Sequence, residues 1–176
     1  MAKMVQNLLD ANRIERGEMQ WHLAPTDLAR SVADVIESQL PLADGKQQVL
    51  QTQNEPGAFT VLTDATVLTQ VIENLVSNAV KYSPAGKNIY VRLKKSRVGV
   101  RIELQDEGPG LSAGDQKKLF GKFARLSAKP TGGEHSTGLG LSIVKRMVEA
   151  MNGRVWCESE WGRGATFVVE FPTADV

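Results

Sequence analysis

Two neighbouring segments of this 176-residue chain alternate apolar and polar residues strictly, at the two-residue period of a β-strand. The apolar members are Ile89, Val91, Leu93, Val98, Val100, Ile102 and Leu104. A turn at residues 94–97 separates the segments, so they are predicted to form a β-hairpin with one buried face. That face needs a covering layer, and this need limits the folds that the chain can adopt.

Three segments with helical periodicity can supply the covering layer. They are residues 25–45, with Pro41 and Gly45 as stop signals, residues 64–82 with Asp64 as the cap, and residues 138–151. Further strands are predicted at residues 48–53, 59–63, 154–159 and 165–171, and a short helix at residues 4–16. The predicted fold is an α+β two-layer sandwich, in which a mixed, mostly antiparallel sheet packs on a layer of three helices.

Composition excludes several classes of protein. The 21 Lys and Arg residues nearly balance the 20 Asp and Glu residues, so no overall charge attracts nucleic acid or an anionic membrane. Cys157 is the single cysteine, which excludes an internal disulfide framework and a multi-cysteine zinc site. No apolar run approaches the roughly 20 residues of a membrane span, and no signal peptide is recognisable. We therefore expect a cytoplasmic domain without nucleic-acid or membrane contacts.

The second long helix carries a polar stripe that its apolar side does not explain. Asn74, Asn78 and Lys81 lie at positions i, i+4 and i+7, with Glu73 and Ser77 beside them. Asparagine is a mediocre helix former, so two in register call for a reason. One interpretation is a solvated face. The other is a carbonyl ligand for Mg²⁺ with a lysine that meets phosphate, because Mg²⁺ prefers oxygen ligands.

Two glycine motifs stand at the ends of predicted elements. Asp106-x-Gly108-x-Gly110 follows an alternating strand, where a carboxylate could accept a hydrogen bond from an exocyclic amine, although a plain β-turn explains the glycines equally well. Gly138-x-Gly140 opens the third helix, where free backbone N–H groups can meet anionic oxygens. The spacing is not that of a P-loop. A third glycine pair, at residues 162–164, is most simply a turn.

A long segment between the second hairpin strand and the third helix lacks periodicity. Residues 107–137 are rich in Gly, Ser, Lys and Pro, with a short helical piece expected around residues 119–123. In that piece, Phe120 and Phe123 are predicted to share one face of a helical turn. Loops of this length in a compact domain are usually functional, often lids.

The order and spacing of these motifs resemble the N, G1, F, G2 and glycine-rich tail boxes of sensor histidine kinases. The matching segments are residues 74–83, 106–110, 119–123, 138–141 and 162–164. The resemblance spans roughly residues 23–171 and implies the Bergerat-type ATP-binding fold shared with DNA gyrase, MutL and heat-shock chaperones. It implies the catalytic domain of a kinase that uses ATP and Mg²⁺ to phosphorylate a histidine.

The resemblance also implies roles for individual residues. It assigns ATP binding to Asn74, Asn78, Lys81, Tyr82, Asp106, Gly108, Gly110, Lys122, Arg125, Thr137, Gly138, Leu139, Gly140, Leu141 and Thr166. It assigns catalysis to Glu73, Asn74, Lys81 and Arg125. Within these sets, Asn78 would be the Mg²⁺ ligand and Asp106 would bind the adenine amine. Glu73 would help to deprotonate the acceptor histidine, and Lys122 would be the basic residue of the F box.

The same resemblance divides the chain and names its partners. Residues 1–17 look like the end of a dimerisation hairpin helix, and residues 18–176 like the catalytic domain, with residues 107–137 as the lid. The expected partners are ATP, the hairpin of the same kinase and a downstream response regulator. The full-length protein could be membrane-anchored, as sensor kinases frequently are.

Two departures from related patterns refine this expectation. The phosphoacceptor motif is absent, because His22 lies in a predicted strand and is interpreted as structural, and His135 is interpreted as a residue of the loop. The hydrolases of this fold carry a glutamate four residues before the metal asparagine, where this chain has Asn74. Since an amide cannot act as a general base, the site should hold ATP without hydrolysing it.

Three alternatives remain open from the sequence. The nearest is an anti-sigma-factor serine kinase, which acts as a binding module as much as an enzyme. Another is a nucleotide-sensing domain without transfer activity. An ATP-hydrolysing member of the fold is the least favoured, because of Asn74.

Overall fold

A computed structural model describes residues 2–127, 129–132 and 138–174. Its helices are α1 (Ala2–Glu15), α2 (Leu28–Gly45), α3 (Ala65–Tyr82), α4 (Ala113–Lys118) and α5 (Gly140–Ala150). Its strands are β1 (Ala24–Asp27), β2 (Val49–Thr52), β3 (Thr60–Thr63), β4 (Asn88–Lys95), β5 (Gly99–Asp106), β6 (Arg154–Ser159) and β7 (Ala165–Pro172). Among the described residues, no helix has the length and apolar character needed to cross a membrane.

The strands form a five-stranded sheet in the order β2-β4-β5-β7-β6 and a two-stranded sheet of β1 and β3. β2 runs parallel to β4, whereas the other pairs are antiparallel. The register places Leu93 opposite Ile102, and Ile102 opposite Val169. Because side chains alternate between faces, these pairs build one continuous apolar face.

Three helices, α2, α3 and α5, cover that apolar face. Their fully buried side chains include Leu28, Leu68, Ile72, Leu75, Ile143 and Met147. The sheet contributes Ile89, Leu93, Ile102, Leu104 and Phe171 to the same core. Each buried side chain of this size contributes about 1.5–3 kcal/mol through the hydrophobic effect. The prediction of an α+β two-layer sandwich with a mixed, mostly antiparallel sheet is confirmed.

Helix α2 differs from its predicted bounds at both ends. Residues 25–27 belong to β1, because they pair with β3 and the hydroxyl of Thr26 donates to the carbonyl of Thr63. The helix begins at Leu28, capped by the carboxylate of Asp27. Pro41 lies inside the helix, so its prediction as a stop is wrong; the helix ends at Gly45.

Helix α3 matches the prediction. The carboxylate of Asp64 accepts hydrogen bonds from the N–H groups of Thr66 and Val67. The backbone N–H of His22 donates to the same carboxylate at 3.0 Å. His22 precedes β1 and does not lie in the strand predicted for it. The bond belongs to the backbone of His22, and the structural interpretation of its imidazole stays a prediction.

Smaller predictions also need correction. Val98 is 57% exposed in the β4–β5 turn and does not lie on the buried face. The short helix of the long loop is α4, earlier than residues 119–123. Phe123 has a left-handed φ of 54° and is exposed, whereas Phe120 packs against the core, so the two rings do not share a helical face. Helix α5 begins at Gly140, two residues later than predicted.

Candidate functional site

The polar stripe of α3 faces the start of α5. Asn74 is only 6% exposed, and its Nδ2 donates to the backbone carbonyl of Gln70 at 3.0 Å. That bond fixes the amide, with Oδ1 as its acceptor end. A Cβ placed on Gly140 would lie 3.6 Å from this Oδ1. The fold therefore brings Asn74 to the N-terminus of α5, although 66 residues separate Asn74 from Gly140 in sequence.

The other predicted residues of α3 lie along the same stripe. Asn78, Lys81 and Tyr82 are half-buried, and so is Glu73 at the side of the stripe. A Cβ on Gly108 would lie 2.9 Å from the carbonyl oxygen of Tyr82. The end of α3 therefore packs directly against the loop that follows β5.

Asp106 lies at the end of β5 and is 6% exposed. Its Oδ1 accepts hydrogen bonds from the N–H groups of Gly108 at 2.8 Å and Ala165 at 3.3 Å. Burial raises the pKa of Asp106, and these two backbone N–H groups oppose that rise. The carboxylate is therefore held in one orientation beside the end of α3.

The β6–β7 turn closes this end of the sheet. Gly164 has a φ of +78°, and a Cβ there would lie 2.1 Å from the carbonyl oxygen of Asp106. Gly110, with a φ of +74°, would place a Cβ 2.3 Å from the carbonyl oxygen of Glu160. Thr166 pairs with Gln105 on β5 and is half-buried. The glycine pair predicted as a simple turn thus also supports Asp106.

Helix α5 starts beside Asn74 with a leucine at its N-cap position. Leu139 occupies the N-cap position, is 2% exposed and makes no capping hydrogen bond through its side chain. Gly138 has a φ of +71°, and a Cβ on it would lie 3.0 Å from the Cα of Phe123. Gly140 and Leu141 form the first turn and are half-buried. Backbone N–H groups at a helix start suit an anionic group. Thr137, also predicted here, lies outside the described residues.

The loop contributes two of the predicted cations, Lys122 and Arg125. Lys122 forms an ion pair with Glu15 of α1. The same carboxylate pairs with Nη1 of Arg146, on α5, at 3.2 Å. Arg125 is exposed. Of the predicted site residues in the loop, the described structure therefore brings Gly108 to Asp106 and Gly110 to the β6–β7 turn, but pairs Lys122 with α1.

One contact of the site was not predicted. Nζ of Lys46, after α2, donates to the carbonyls of Val80 and Lys81 at 2.7 and 3.2 Å and to the hydroxyl of Thr131 at 2.6 Å. The backbone N–H of Thr131 also donates to the carbonyl of Lys81, at 2.8 Å. A cation at the C-terminal carbonyls of a helix is favourable. A lysine that follows a helix is a weak sequence signal, because the sequence does not indicate which distant group the lysine contacts.

Comparisons with known proteins agree with this geometry. The family described as histidine kinase-, DNA gyrase B-, and HSP90-like ATPase matches residues 63–175. The adaptive-response sensory kinase SasA of Synechococcus sp. (strain JA-3-3Ab) is 34% identical over 173 residues, which are 98% of this chain and 45% of that protein. The sensor-like histidine kinase SenX3 of Mycolicibacterium smegmatis is 31% identical over 172 residues, 98% of this chain and 44% of that protein. The chain thus spans less than half the length of these curated relatives.

Solved structures give the same result. Full-length ShkA in complex with AMPPNP superimposes with a TM-score of 0.85 at 31% identity, covering 99% of this chain and 36% of that one. The catalytic domain of the histidine kinase ThkA superimposes with a TM-score of 0.75 at 24% identity, covering 86% of this chain and 96% of that one, which supports the fold. The alternatives of an anti-sigma-factor kinase and of a sensor without transfer activity are not favoured. The chain belongs to the histidine kinase-, DNA gyrase B-, and HSP90-like ATPase family, as an ATP-binding catalytic domain of the histidine kinase type.

Proposed function

We propose that this chain binds ATP with Mg²⁺ and transfers the γ-phosphoryl group to a histidine on a dimerisation hairpin of the same kinase. In this proposal, residues 1–17 end the hairpin and residues 18–176 form the catalytic domain, with residues 107–137 as the lid. A response regulator would receive the phosphoryl group from the histidine. The observation that carries the proposal is the approach of Asn74 Oδ1 to Gly140, which joins the α3 stripe to the start of α5.

The adenine would bind beside Asp106. The N–H groups of Gly108 and Ala165 hold Oδ1 in place, so the fixed carboxylate can accept a hydrogen bond from the exocyclic amine. A side chain at Gly108 would enter the space next to Tyr82, since its Cβ would lie 2.9 Å from that backbone carbonyl. Glycine at this position therefore lets the loop after β5 pack against the end of α3, beside the carboxylate of Asp106.

The phosphates would lie between the α3 stripe and α5. The N–H groups around Gly138, Leu139, Gly140 and Leu141 provide donors for anionic oxygens, and Lys81 provides a positive charge. Arg125 and Lys122 come from the loop, with Thr137 and Thr166 completing the proposed contacts. The side-chain carbonyl oxygen of Asn78 fits Mg²⁺, which uses few protein ligands when phosphates and water supply the rest, and Asn74 would lie beside the phosphates.

The chemistry follows from positioning and charge. An imidazole nitrogen of the acceptor histidine attacks the γ-phosphorus in line, the bond to the bridging oxygen breaks, and ADP leaves. The imidazole proton passes to the carboxylate of Glu73, which neighbours the stripe. Bound Mg²⁺ would neutralise charge on the phosphate oxygens. Asn74 cannot activate water, so transfer to histidine is favoured over hydrolysis.

A phosphotransfer assay tests the proposal. The chain is mixed with radiolabelled ATP, Mg²⁺ and a separately made dimerisation hairpin of the full-length protein that carries its histidine. We expect acid-labile, base-stable label on the hairpin. Asn78→Ala should abolish most of the labelling by removing the metal ligand, while Gln39→Ala on α2 should not change it. An unlabelled hairpin with the parent chain would contradict the proposal.

A further inference from the structure

The contact between α1 and the rest of the domain combines buried polar groups with a small number of apolar side chains. Asp10 is 5% exposed and accepts hydrogen bonds from Gln6 at 2.9 Å and from Gln70 of α3 at 2.8 Å. Asn7 is also buried at this contact, and the apolar part comes from Ala11 and the half-buried Ile14. Polar contacts of this kind separate more readily than the core, because they bury little apolar surface.

Glu15, the last residue of α1, joins three elements. Its carboxylate pairs with Lys122 of the long loop and with Arg146 of α5. The side chains of Glu15 and Lys122 are 36% and 38% exposed, so solvent and other ions reach the pair. We call this group, Glu15 with Lys122 and Arg146, the Glu15 cluster.

Lys122 directly precedes a segment that contacts the start of α5, where the phosphates are proposed to bind. The carbonyl oxygen of Ala124 and the Cα of Phe123 lie 3.1 and 3.0 Å from where a Cβ on Gly138 would be. The segment that follows Lys122 therefore touches the start of α5, at the end that also meets Asn74. A lysine side chain is long and flexible, and one ammonium group cannot pair fully with Glu15 and with a phosphate at the same time.

We propose that Glu15 competes with the phosphates of a bound nucleotide for Lys122. In the free domain, α1 holds the loop cation through the Glu15 cluster. Nucleotide binding draws Lys122 away from Glu15 and loosens α1. Because coupling between two sites is reciprocal, the nucleotide weakens the docking of α1 by the same factor by which docked α1 weakens nucleotide binding. This inference rests on the proposed function, since it requires phosphates at the start of α5.

Calorimetry with the whole chain and Mg-AMPPNP tests the competition. Glu15→Gln should bind AMPPNP about two- to fivefold more tightly than the parent, the range expected for an exposed ion pair. Lys122→Gln should weaken binding, and adding Glu15→Gln to it should bring no gain. Adenosine, which lacks phosphates, should bind the parent and Glu15→Gln equally. The control is Glu18→Gln, which removes an exposed carboxylate that pairs with Arg16 and should leave AMPPNP affinity unchanged.

The outcomes separate the competition from the function on which it rests. A gain for Glu15→Gln that persists in the Lys122→Gln chain, or that extends to adenosine, would overturn the competition. So would no gain at all. A parent that binds no AMPPNP would contradict the proposed function instead. Hydrogen exchange of α1 tests the Glu15 cluster without nucleotide. Glu15→Gln should raise hydrogen exchange across residues 5–15, and unchanged exchange would show that the Glu15 cluster does not hold α1.

Discussion

The helix–sheet sandwich and the loop between β5 and α5 are held by different kinds of contact. In the sandwich, Leu93, Ile102 and Leu104 lie at or below 2% exposure against the helices. Each such side chain stabilises the fold by about 1.5–3 kcal/mol. The described part of the loop has few buried apolar side chains, chiefly Leu111 and Leu119. Buried apolar side chains therefore hold the sandwich together, whereas the loop depends on individual contacts with the rest of the domain.

Most of the loop anchors are polar. The carboxylate of Asp115 accepts from the N–H of Ser127 at 3.2 Å, and the N–H of Leu111 donates to Ser159 at 2.8 Å. Thr131 binds the end of α3. A typical hydrogen bond contributes about 0.5–1.5 kcal/mol net. Apolar burial in the sandwich holds Asn74 and Asp106 in place. We expect the loop, with its weaker polar contacts, to rearrange more easily when a ligand binds.

The largest expected effect tests the close approach of the β6–β7 turn to the end of β5. Gly164→Ala should lower the free energy of unfolding by about 3 kcal/mol or more, because its φ is +78° and the new Cβ would meet the carbonyl of Asp106. Gly162→Ala is the matched control. It has a φ of +85° but no atom within 4 Å, so it should cost only about 1 kcal/mol. Equal losses in urea denaturation would contradict the close approach.

An ion cluster on the other face of the sheet should give a smaller, pH-dependent effect. Burial alone would raise the pKa of Glu170, but hydrogen bonds from Arg101, Arg154 and Ser96 outweigh it and lower the pKa to about 2. The stabilisation is therefore complete above the ordinary pKa of 4.5 and is lost as the pH falls toward about 2.

Glu170→Gln should thus cost about 1–2 kcal/mol at neutral pH, a value reduced because Arg154 is largely exposed. In urea denaturation the difference from the parent should shrink steadily as the pH is lowered below the ordinary pKa of the carboxyl. Glu160→Gln, which removes an exposed partner of Arg163, is the control and should change stability little at any pH. A pH-independent loss for Glu170→Gln would show that the charge is not responsible.

The smallest effect concerns the end of the loop. Thr131→Val removes the hydroxyl that donates to the carbonyl of Ser83 at 2.8 Å. It should lower the free energy of unfolding by about 0.5–1 kcal/mol but raise hydrogen exchange at residues 129–132 clearly. Thr69→Val removes a comparable hydroxyl bond within α3 and should leave exchange in the loop unchanged. Equal exchange in both variants would mean that Thr131 is not an anchor.

The sequence predicts the local features of the sandwich well. The Asp64 cap and the stripe of Asn74, Asn78 and Lys81 follow from the helix period alone, and the structure has both. Pro25 carried a helix-start signal, but pairing with β3 prevails there. This error arises because strand pairing depends on residues far away in sequence.

The anchors of the loop could not be predicted for the same reason. Lys46 and Thr131 are 85 residues apart, and Lys122 and Glu15 are 107 apart. No periodicity links such positions. The resemblance to histidine kinases assigns Lys122 to ATP binding, whereas the contact of Lys122 with α1 depends on the folded chain.

Adenine selection by Asp106 is the most direct test of the site. Calorimetry with Mg-ATP and Mg-GTP should show that the parent prefers ATP by about ten- to hundredfold, the effect of one hydrogen bond to a charged acceptor. Asp106→Ala should lose most of this preference. Asp115→Ala removes another buried carboxylate, which is 4% exposed and lies outside the proposed base pocket, and it should keep the preference. Equal affinities of the parent for ATP and GTP, or a preference that survives in Asp106→Ala, would contradict the account.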